Sequence, residues 1–528
     1  MGADYNLSLP FFNAASKHPG RPVLYTDKGH WTYGELAKTA KRLAGRLAQE
    51  DGSGRVGILG THSFEAYAGI LATLCAGKTY VPLNLKWPEA RIAELLRLLD
   101  LEALIVDANG AALLSEAVLA AAPPTIVVAD AALSDYPELG DRAASFSAID
   151  AIFLDRPVQR GPDDTAYILY TSGTTGMPKG VVIHNLGVST YLAETRKWTR
   201  YSTEDRIAES CDITFDLTVH NMFLCWEAGA SLHVLSPLDM MAPARFIRRN
   251  GITAWMSVPT LIGMMRRTGS LKPGIFPSLR ISIFCGEPLP LSAARAWAEA
   301  SPNGSVENIY GPTEGTVVCM RQTLTEPPAV TEERGILAIG TAYDSFEIAI
   351  FDDRQNRLPP GEAGEIALRG AQLAKGYFNA PEQAADRFRV IDGDRWYLTG
   401  DLGRLDDEGR FHHLGRTDNQ VKLKGNRVEL EEVEMHLREA AGSELSAVVA
   451  WPVEDGSAQG LVAFTVETGL DEKRIQERMA RHLPGYMVPA SVRFTDAMPR
   501  NNNGKIDRRA LVAELDREAA EASAEAAQ

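Results

Sequence analysis

The sequence predicts an α/β protein in two parts: a large N-terminal domain of parallel α/β sheets carrying a β-rich subdomain, and a small α+β domain at the C-terminal end. Three observations predict it. A chain of 528 residues exceeds what one hydrophobic core organises. Short apolar runs alternate with amphipathic helical patterns through much of the chain. Beyond about residue 335 the texture changes to short alternating segments separated by turn residues.

Taken in order, "WTYGELAKTAKRLAGRLA" reads as a turn and then a helix. Thr32 with Glu35 makes a capping box, and Leu36, Ala40, Leu43 and Leu47 recur at helical spacing. "RVGILG" follows as a short buried strand. "PEARIAELLRLL" places Ile92, Leu95, Leu96 and Leu99 on one helical face, and "ALIVD" is the next buried strand. The alternation recurs at "AYILYTS", "ITAWMSVPTLIGMM" and "SLRISIFCGE", apolar runs that end in polar or glycine turns. In such sheets ligands bind beyond the carboxyl ends of the strands. "FEIAIFDDRQNRLPPGEAGEIALRG" and "GRLDDEGRFHHLGRTDNQVKLKGNRVEL" read as hairpins. Beyond Arg416 come a helix, "ELEEVEMHLREA", two strands, "SAVVAWPVED" and "GLVAFTVET", and a helix, "DEKRIQERMARHL". The boundary is placed near Asp418, giving domains 1–417 and 418–515. The acidic tail 516–528, rich in Ala and Glu, is expected to fray.

Composition narrows the function classes. Hydrophobic residues at 45% and charged residues at 23% are ordinary for a soluble globular protein. Lys plus Arg number 54 against 69 Asp plus Glu, and the net charge of -15 disfavours a nucleic-acid binder. The N-terminus lacks a basic start and an apolar core, and no run approaches a membrane span, so a cytoplasmic protein is expected. Asn6 stands where a myristoylation signal wants Ser or Thr. The cysteines, Cys75, Cys211, Cys225, Cys285 and Cys319, are odd in number and never form a Cys-x-x-Cys pair, which argues against a disulfide framework or a zinc site. His412 and His413 are adjacent, so a strand would point them apart.

"YTSGTTGMPKG" places Thr171, Ser172, Thr174 and Thr175 beside Gly173 and Gly176, then Lys179 and Gly180. Glycine lets backbone N–H groups approach an anion, and hydroxyls donate to phosphate oxygens or ligate magnesium. A phosphate cradle and a polar surface turn both fit the segment alone. A P-loop does not, because Pro178 precedes the lysine where Gly is required and Gly180 follows where Ser or Thr is required.

The same segment resembles the signature loop of the adenylate-forming superfamily, which holds acyl-CoA synthetases, luciferases and nonribosomal peptide synthetase adenylation domains. The resemblance continues in order through "WTYGEL", "LCAGKTYVPLN", "NIYGPTEGT", "GEIALRGAQLAKGY", "YLTGD", "GRTDNQVKLKGNRVELEEVE" and "NNNGKIDRRAL". It implies ATP with Mg2+: a carboxylate attacks the α-phosphorus, releasing pyrophosphate, and a thiol then takes the acyl group as a thioester. The first step gathers negative charge and needs cations and donors placed in advance.

Carried onto this chain, the resemblance assigns Thr171, Ser172, Gly173, Thr174, Thr175, Gly176 and Lys179 to the β- and γ-phosphates. Tyr310, followed by Gly311, would stack on adenine beside the backbone of Gly286, Glu287 and Pro288. Thr313 would lie near the α-phosphate and Glu314 would hold magnesium. Asp401 would accept from the ribose hydroxyls, with Arg416 nearby. Lys505 would bridge substrate carboxylate and adenylate oxygen. The small domain would be mobile, hinged at Asp418, with Gly425 and its neighbours lining the thiol tunnel. Leu398 departs from the pattern, which usually has Arg there.

"DITFDLTVHNMF" resembles the Phe-Asp-x-Ser motif of amino-acid-activating members, with Phe215, Asp216 paired to the substrate ammonium, and Thr218 replacing Ser. A pocket carboxylate suits an ammonium and penalises a fatty chain. By the same resemblance the pocket would comprise Asp216, Leu217, His220, Met256, Ile283, Cys285, Ile309, Val317 and Val318, whose bulk leaves space for a small side chain. Cys285 in "FCGEPLP" also resembles the D-alanine to carrier-protein ligases. His220 would narrow the pocket, bond a polar substituent or simply pack as wall. No phosphopantetheine attachment site follows Lys505, so a free-standing enzyme loading a separate carrier protein is expected. Local positive charge in "GRTDNQVKLKGNR" and "PRNNNGKIDRR" suits docking an acidic carrier. An acyl-CoA synthetase is the rival reading, and a catalytically silent binding module is the third. Intact Lys505, Glu314 and Asp401 count against silence.

Overall fold

The computed structural model describes residues 3–134, 136, 140, 142–149, 153–173, 178–454, 457–466, 469–500 and 506–526. The chain divides into two compact units, one of residues 1–85, 92–170 and 179–417, the other of 86–91, 171–178 and 418–528.

The larger unit is α/β, built on two mainly parallel sheets. In one, the strands run in the order Thr341–Ala342, Met320–Thr323, Ser305–Tyr310, Ile281–Phe284, Ala254–Ser257, Arg206–Glu209, Ser231–Val234, Pro22–Thr26 and Gly29–Thr32. Pairing is parallel from Ser305–Tyr310 across to Pro22–Thr26 and antiparallel at both margins. The inner strands are fully buried short apolar runs, as expected of strands covered by helices on both faces. The other sheet carries Thr79–Leu83, Arg55–Leu59, Ala103–Val106 and Thr125–Val128 in parallel register. Helix Tyr33–Leu47 starts on the Thr32/Glu35 capping box, and Ile92, Leu95, Leu96 and Leu99 of helix Glu89–Leu99 are buried.

The β-rich subdomain is an antiparallel sheet. Phe346–Phe351 pairs with Gly364–Gly370, which pairs with Asp394–Leu405, and that long strand also holds Phe388–Ile391 and Phe411–Arg416. Leu398 packs against its small core of Ala349, Phe351, Ala367, Ile391 and Trp396.

The smaller unit is α+β. Gln420–Leu423 and Asn426–Glu429 form a hairpin whose loop residues, Lys424 and Gly425, have φ of 50° and 82°. Positive φ at both positions is what a two-residue loop needs to match strand twist, and glycine adopts it without cost. Helices Leu430–Ala441 and Glu472–Met479 and the sheet Ser446–Ala450, Leu461–Thr465 and Ser491–Phe494 complete its core. The buried ion pair Arg91–Glu432, 2.8 Å long, lies within it.

The run "ITAWMSVPTLIGMM" divides in two: Ala254–Ser257 is strand and Thr260–Arg267 is helix. The switch is fixed from a distance, because Glu287 accepts from the Thr260 backbone N–H at 2.9 Å and supplies the missing cap. The acidic tail does not fray at its start. Helix Arg508–Ala526 runs through it, anchored by buried Leu511 and Leu515 against Ala447, Val449, Val462, Phe464 and Met498. Trp451 Nε1 also donates to Asp516, and the Ala and Glu content then propagates the helix.

No helix among the described residues is long and apolar enough to cross a membrane. All five cysteines are free thiols.

Candidate nucleotide and substrate site

Strand Ser305–Tyr310 ends on Tyr310, whose hydroxyl donates to Asp401 Oδ2 at 2.5 Å. Asp401 lies in Asp394–Leu405 directly opposite Arg416, whose guanidinium donates to Oδ1 at 2.5 Å. His413 Nε2 lies 3.4 Å from the same oxygen. Burial by itself would raise the Asp401 carboxyl, but hydrogen bonding to His413 and the Arg416 charge overcome it and hold the group far below the usual carboxylate range. Burial and the adjacent Asp401 charge push the Tyr310 phenol up, so it remains a donor. An acceptor-only carboxylate on an antiparallel strand is thus kept ionised beside Tyr310, the residue that ends parallel strand Ser305–Tyr310.

After Gly311, Thr313, Glu314 and Gly315 form a 3-10 turn. Glu314 is fully buried and accepts from the Tyr377 hydroxyl at 2.7 Å. The Tyr377 ring has Lys179 Nζ 5.8 Å from its centroid, so the lysine and the acidic turn are joined through one aromatic side chain. Thr316 and Val317 then take φ of 56° and 69°. For β-branched residues this is costly backbone, held only when the surroundings over-determine it. Gln372 does so: its carbonyl accepts from the Thr316 hydroxyl and its amide donates to the Val318 carbonyl at 3.2 Å.

Val317 and Val318 are buried, as are Met256, Ile283, Cys285 and Ile309 at the ends of the neighbouring parallel strands. Met256 and Ile283 stand side by side in register. Gly286, with φ of 85°, turns the chain beyond Cys285, and Glu287 is committed to capping Thr260. Asp216 is the half-buried cap residue of helix Leu217–Ala228, preceded by Phe215 in a tight turn. Leu217 and His220 are buried on that helix. His220 Nδ1 is 2.6 Å from the Tyr191 hydroxyl, and the ring packs among Tyr191, Trp198 and Tyr201. Burial lowers its imidazole to about 3, so it is neutral. His220 is therefore part of an aromatic wall.

Thr171, Ser172 and Gly173 cluster with the smaller unit, where the Ser172 hydroxyl donates to the Arg427 carbonyl at 2.8 Å. Asp418 and Gly425 belong to that unit as well. Thr174, Thr175, Gly176 and Lys505 lie outside the described residues.

Sequence reasoning missed Tyr377, Gln372, Tyr191 and His413. For His413 a signal existed. Alternation along Phe411–Arg416 turns His412 toward Thr331 and Asp406 and His413 toward Asp401, so the adjacent pair does point apart. For Gln372 there was none, since its partners are backbone atoms distant in sequence.

A parallel-sheet unit with acidic and aromatic groups at its strand ends, followed by a small α+β unit, defines the class. The chain belongs to the AMP-binding enzyme family: the family model matches residues 11–378, and that of the AMP-binding enzyme C-terminal domain matches residues 432–505. The D-alanine–D-alanyl carrier protein ligase of Lacticaseibacillus rhamnosus is 28% identical over 526 residues, covering 97% of this chain and 99% of the ligase. A dimodular nonribosomal peptide synthase of Bacillus subtilis (strain 168) is 32% identical over 520 residues, covering 95% of this chain. The chain spans about a fifth or less of the length of the peptide synthases it matches in this way. Among solved structures, the Vibrio cholerae adenylation domain AlmE, in complex with glycyl-adenosine-5'-phosphate, aligns with a TM-score of 0.87 at 29% identity, covering 98% of each chain.

Proposed function

We propose that this protein is an AMP-forming ligase that activates a small amino acid, alanine-like or a small β-amino acid, and passes it to the phosphopantetheine thiol of a carrier protein. The feature that carries the reading is Asp216, a carboxylate at the start of a buried helix, in the position the Phe-Asp-x-Ser resemblance gives to the residue that pairs with an ammonium. An ionised carboxylate selects an ammonium. Met256, Ile283, Ile309, Val317 and Val318, all buried, would occupy the volume a larger side chain needs. The D-alanine ligase relative and the glycyl-adenylate bound to AlmE support a small substrate.

In the reaction so read, a carboxylate oxygen of the amino acid attacks the α-phosphorus of ATP and displaces pyrophosphate; the carrier thiol then attacks the acyl carbon and releases AMP. Asp401 would accept from the ribose hydroxyls, and Tyr310, held by Asp401, would flank the adenine with Gly286, Glu287 and Pro288. Thr313 would lie near the α-phosphate. Lys179, with Thr171 to Gly176, would hold the β- and γ-phosphates, and Lys505 would bridge the substrate carboxylate and the adenylate oxygen. Glu314 suits Mg2+, being a buried hard oxygen ligand close to the lysine side of the site. Mg2+ bound with ATP would neutralise phosphate charge. Asp418 would serve as hinge and Gly425 would border the thiol path. That the second unit begins again at residue 418 supports the hinge position. A cytoplasmic site of action suits an enzyme that consumes ATP.

The test is amino-acid-dependent exchange of labelled pyrophosphate into ATP across small D-, L- and β-amino acids. Exchange with at least one of them is expected. Exchange confined to carboxylic acids without an amino group would overturn the reading.

A further inference from the structure

Glu209 closes strand Arg206–Glu209 with a fully buried side chain that the reaction does not use. Its Oε1 accepts from the Cys211 backbone N–H and from Asn221 Nδ2, each at 3.1 Å. Its Oε2 is buried without a hydrogen-bond partner among the described residues, and so is Asn221 Oδ1. Two orphaned acceptors on one bonded pair of side chains are the informative feature. An ionised glutamate has only acceptors and can satisfy neither. One proton on Oε2 would make it the kind of donor that Asn221 Oδ1 lacks, and a reciprocal pair, N–H to Oε1 in one direction and O–H to Oδ1 in the other, would satisfy both.

The surroundings favour that proton. The titratable groups facing Glu209 are Asp212 and Cys211 from the following turn, Cys225 from helix Leu217–Ala228 and Tyr67 from helix Phe64–Cys75; none supplies a positive charge. Burial pushes the Glu209 carboxyl up to about 8.

Both partners of Glu209 lead to Asp216. Cys211 begins the turn that ends on Asp216, and the Thr218 hydroxyl donates back to the carbonyls of Cys211 and Asp212 at 3.1 and 2.9 Å. Asp212 in turn accepts from the Thr214 backbone N–H at 3.0 Å. Asn221 lies on the helix that Asp216 caps. The pair therefore ties the strand end and turn to the helix, with Asp216 between the two anchor points.

We propose that Glu209 is a positioning residue for amino-acid recognition: held as a neutral carboxylic acid paired with Asn221, it fixes the turn that presents Asp216, and its ionisation loosens that turn. The proposal rests on the amino-acid reading of Asp216 given above. Glutamine at this position reproduces the neutral ring, with an N–H replacing the O–H, and has no proton to lose.

The test uses the full chain as wild type and as Glu209→Gln, with pyrophosphate exchange followed from neutral pH to about pH 9. In the wild type the KM for the amino acid should rise, approaching tenfold per pH unit above about 8, with a smaller change in kcat. Glu209→Gln should match the wild type near neutrality and lack that rise. An infrared carbonyl band from a protonated buried carboxyl should be present in the wild type at neutral pH, fade as pH rises and be missing from Glu209→Gln. Superimposable KM profiles, or no carboxyl band in the wild type, would overturn the proposal. A wild type without any amino-acid-dependent exchange would instead overturn the Asp216 reading and the positioning role with it, while the infrared band would still report the protonation by itself.

Discussion

Replacing Asp216 by alanine removes the one carboxylate that the pocket reading assigns to the substrate ammonium. The side chain is half-buried and caps helix Leu217–Ala228 without a side-chain cap hydrogen bond, so its loss leaves the helix start intact. The cost should fall on binding. Truncating one partner of a desolvated charge pair costs about 2–5 kcal/mol, much of it from stranding the other charge. At about 1.4 kcal/mol per factor of ten, kcat/KM for the amino acid should fall by roughly 30- to 4000-fold. A carboxylic acid of the same skeleton without the amino group has no ammonium to strand, so its activation should stay level or improve. Pyrophosphate exchange with alanine and with propionate, measured side by side on both proteins, reads the difference directly. Unchanged kcat/KM for the amino acid, or equal losses for both acids, would refute the ammonium assignment.

Asp401→Asn removes the ionised acceptor that His413, Arg416 and Tyr310 hold, and KM for ATP should rise about 10- to 150-fold, as expected for a charge-assisted hydrogen bond. Because the folded-state carboxyl of Asp401 titrates below its usual range, its stabilisation is present at neutral pH and is lost as pH falls below that range; denaturation midpoints taken against pH should show a shallower acid loss in the variant. His220→Ala removes a ring from the Tyr191, Trp198 and Tyr201 wall, so exchange should shift from alanine toward larger side chains; no shift would mean that the imidazole does not bound the pocket. Leu511→Ala should destabilise the small domain by about 2–5 kcal/mol in denaturant titration and abolish hydrogen-exchange protection along Arg508–Ala526, and no change in either would mean that Leu511 does not anchor the helix.

Local chemistry was legible wherever partners are close in the chain. The capping box at Thr32 and Glu35, the buried face of Glu89–Leu99 and the hairpin from Phe346 to Gly370 all follow from spacing within one element or across one turn. The helix at Thr260 was not legible, because its cap is Glu287. Nor was the helical tail, whose anchor is a sheet formed by Ser446–Ala450 and Leu461–Thr465. The candidate site divides in the same way. Motif residues such as Tyr310, Glu314 and Asp401 stand out by type and order, whereas Gln372, Tyr377 and Tyr191 carry no local mark and acquire meaning from what they touch.

By itself, then, the sequence determined the α/β architecture and singled out the motif residues, because periodicity, caps and motif order are properties of neighbouring residues. Only the tertiary structure decided their states. Asp401 is ionised because Arg416 and His413 are brought to it across a sheet, and His220 is neutral because three aromatic rings enclose it. Glu209 and Asn221 each bury an orphaned acceptor because a strand end and a helix meet at their hydrogen bond. Charge state depends on burial and on partners remote in the chain, and no stretch of sequence contains either.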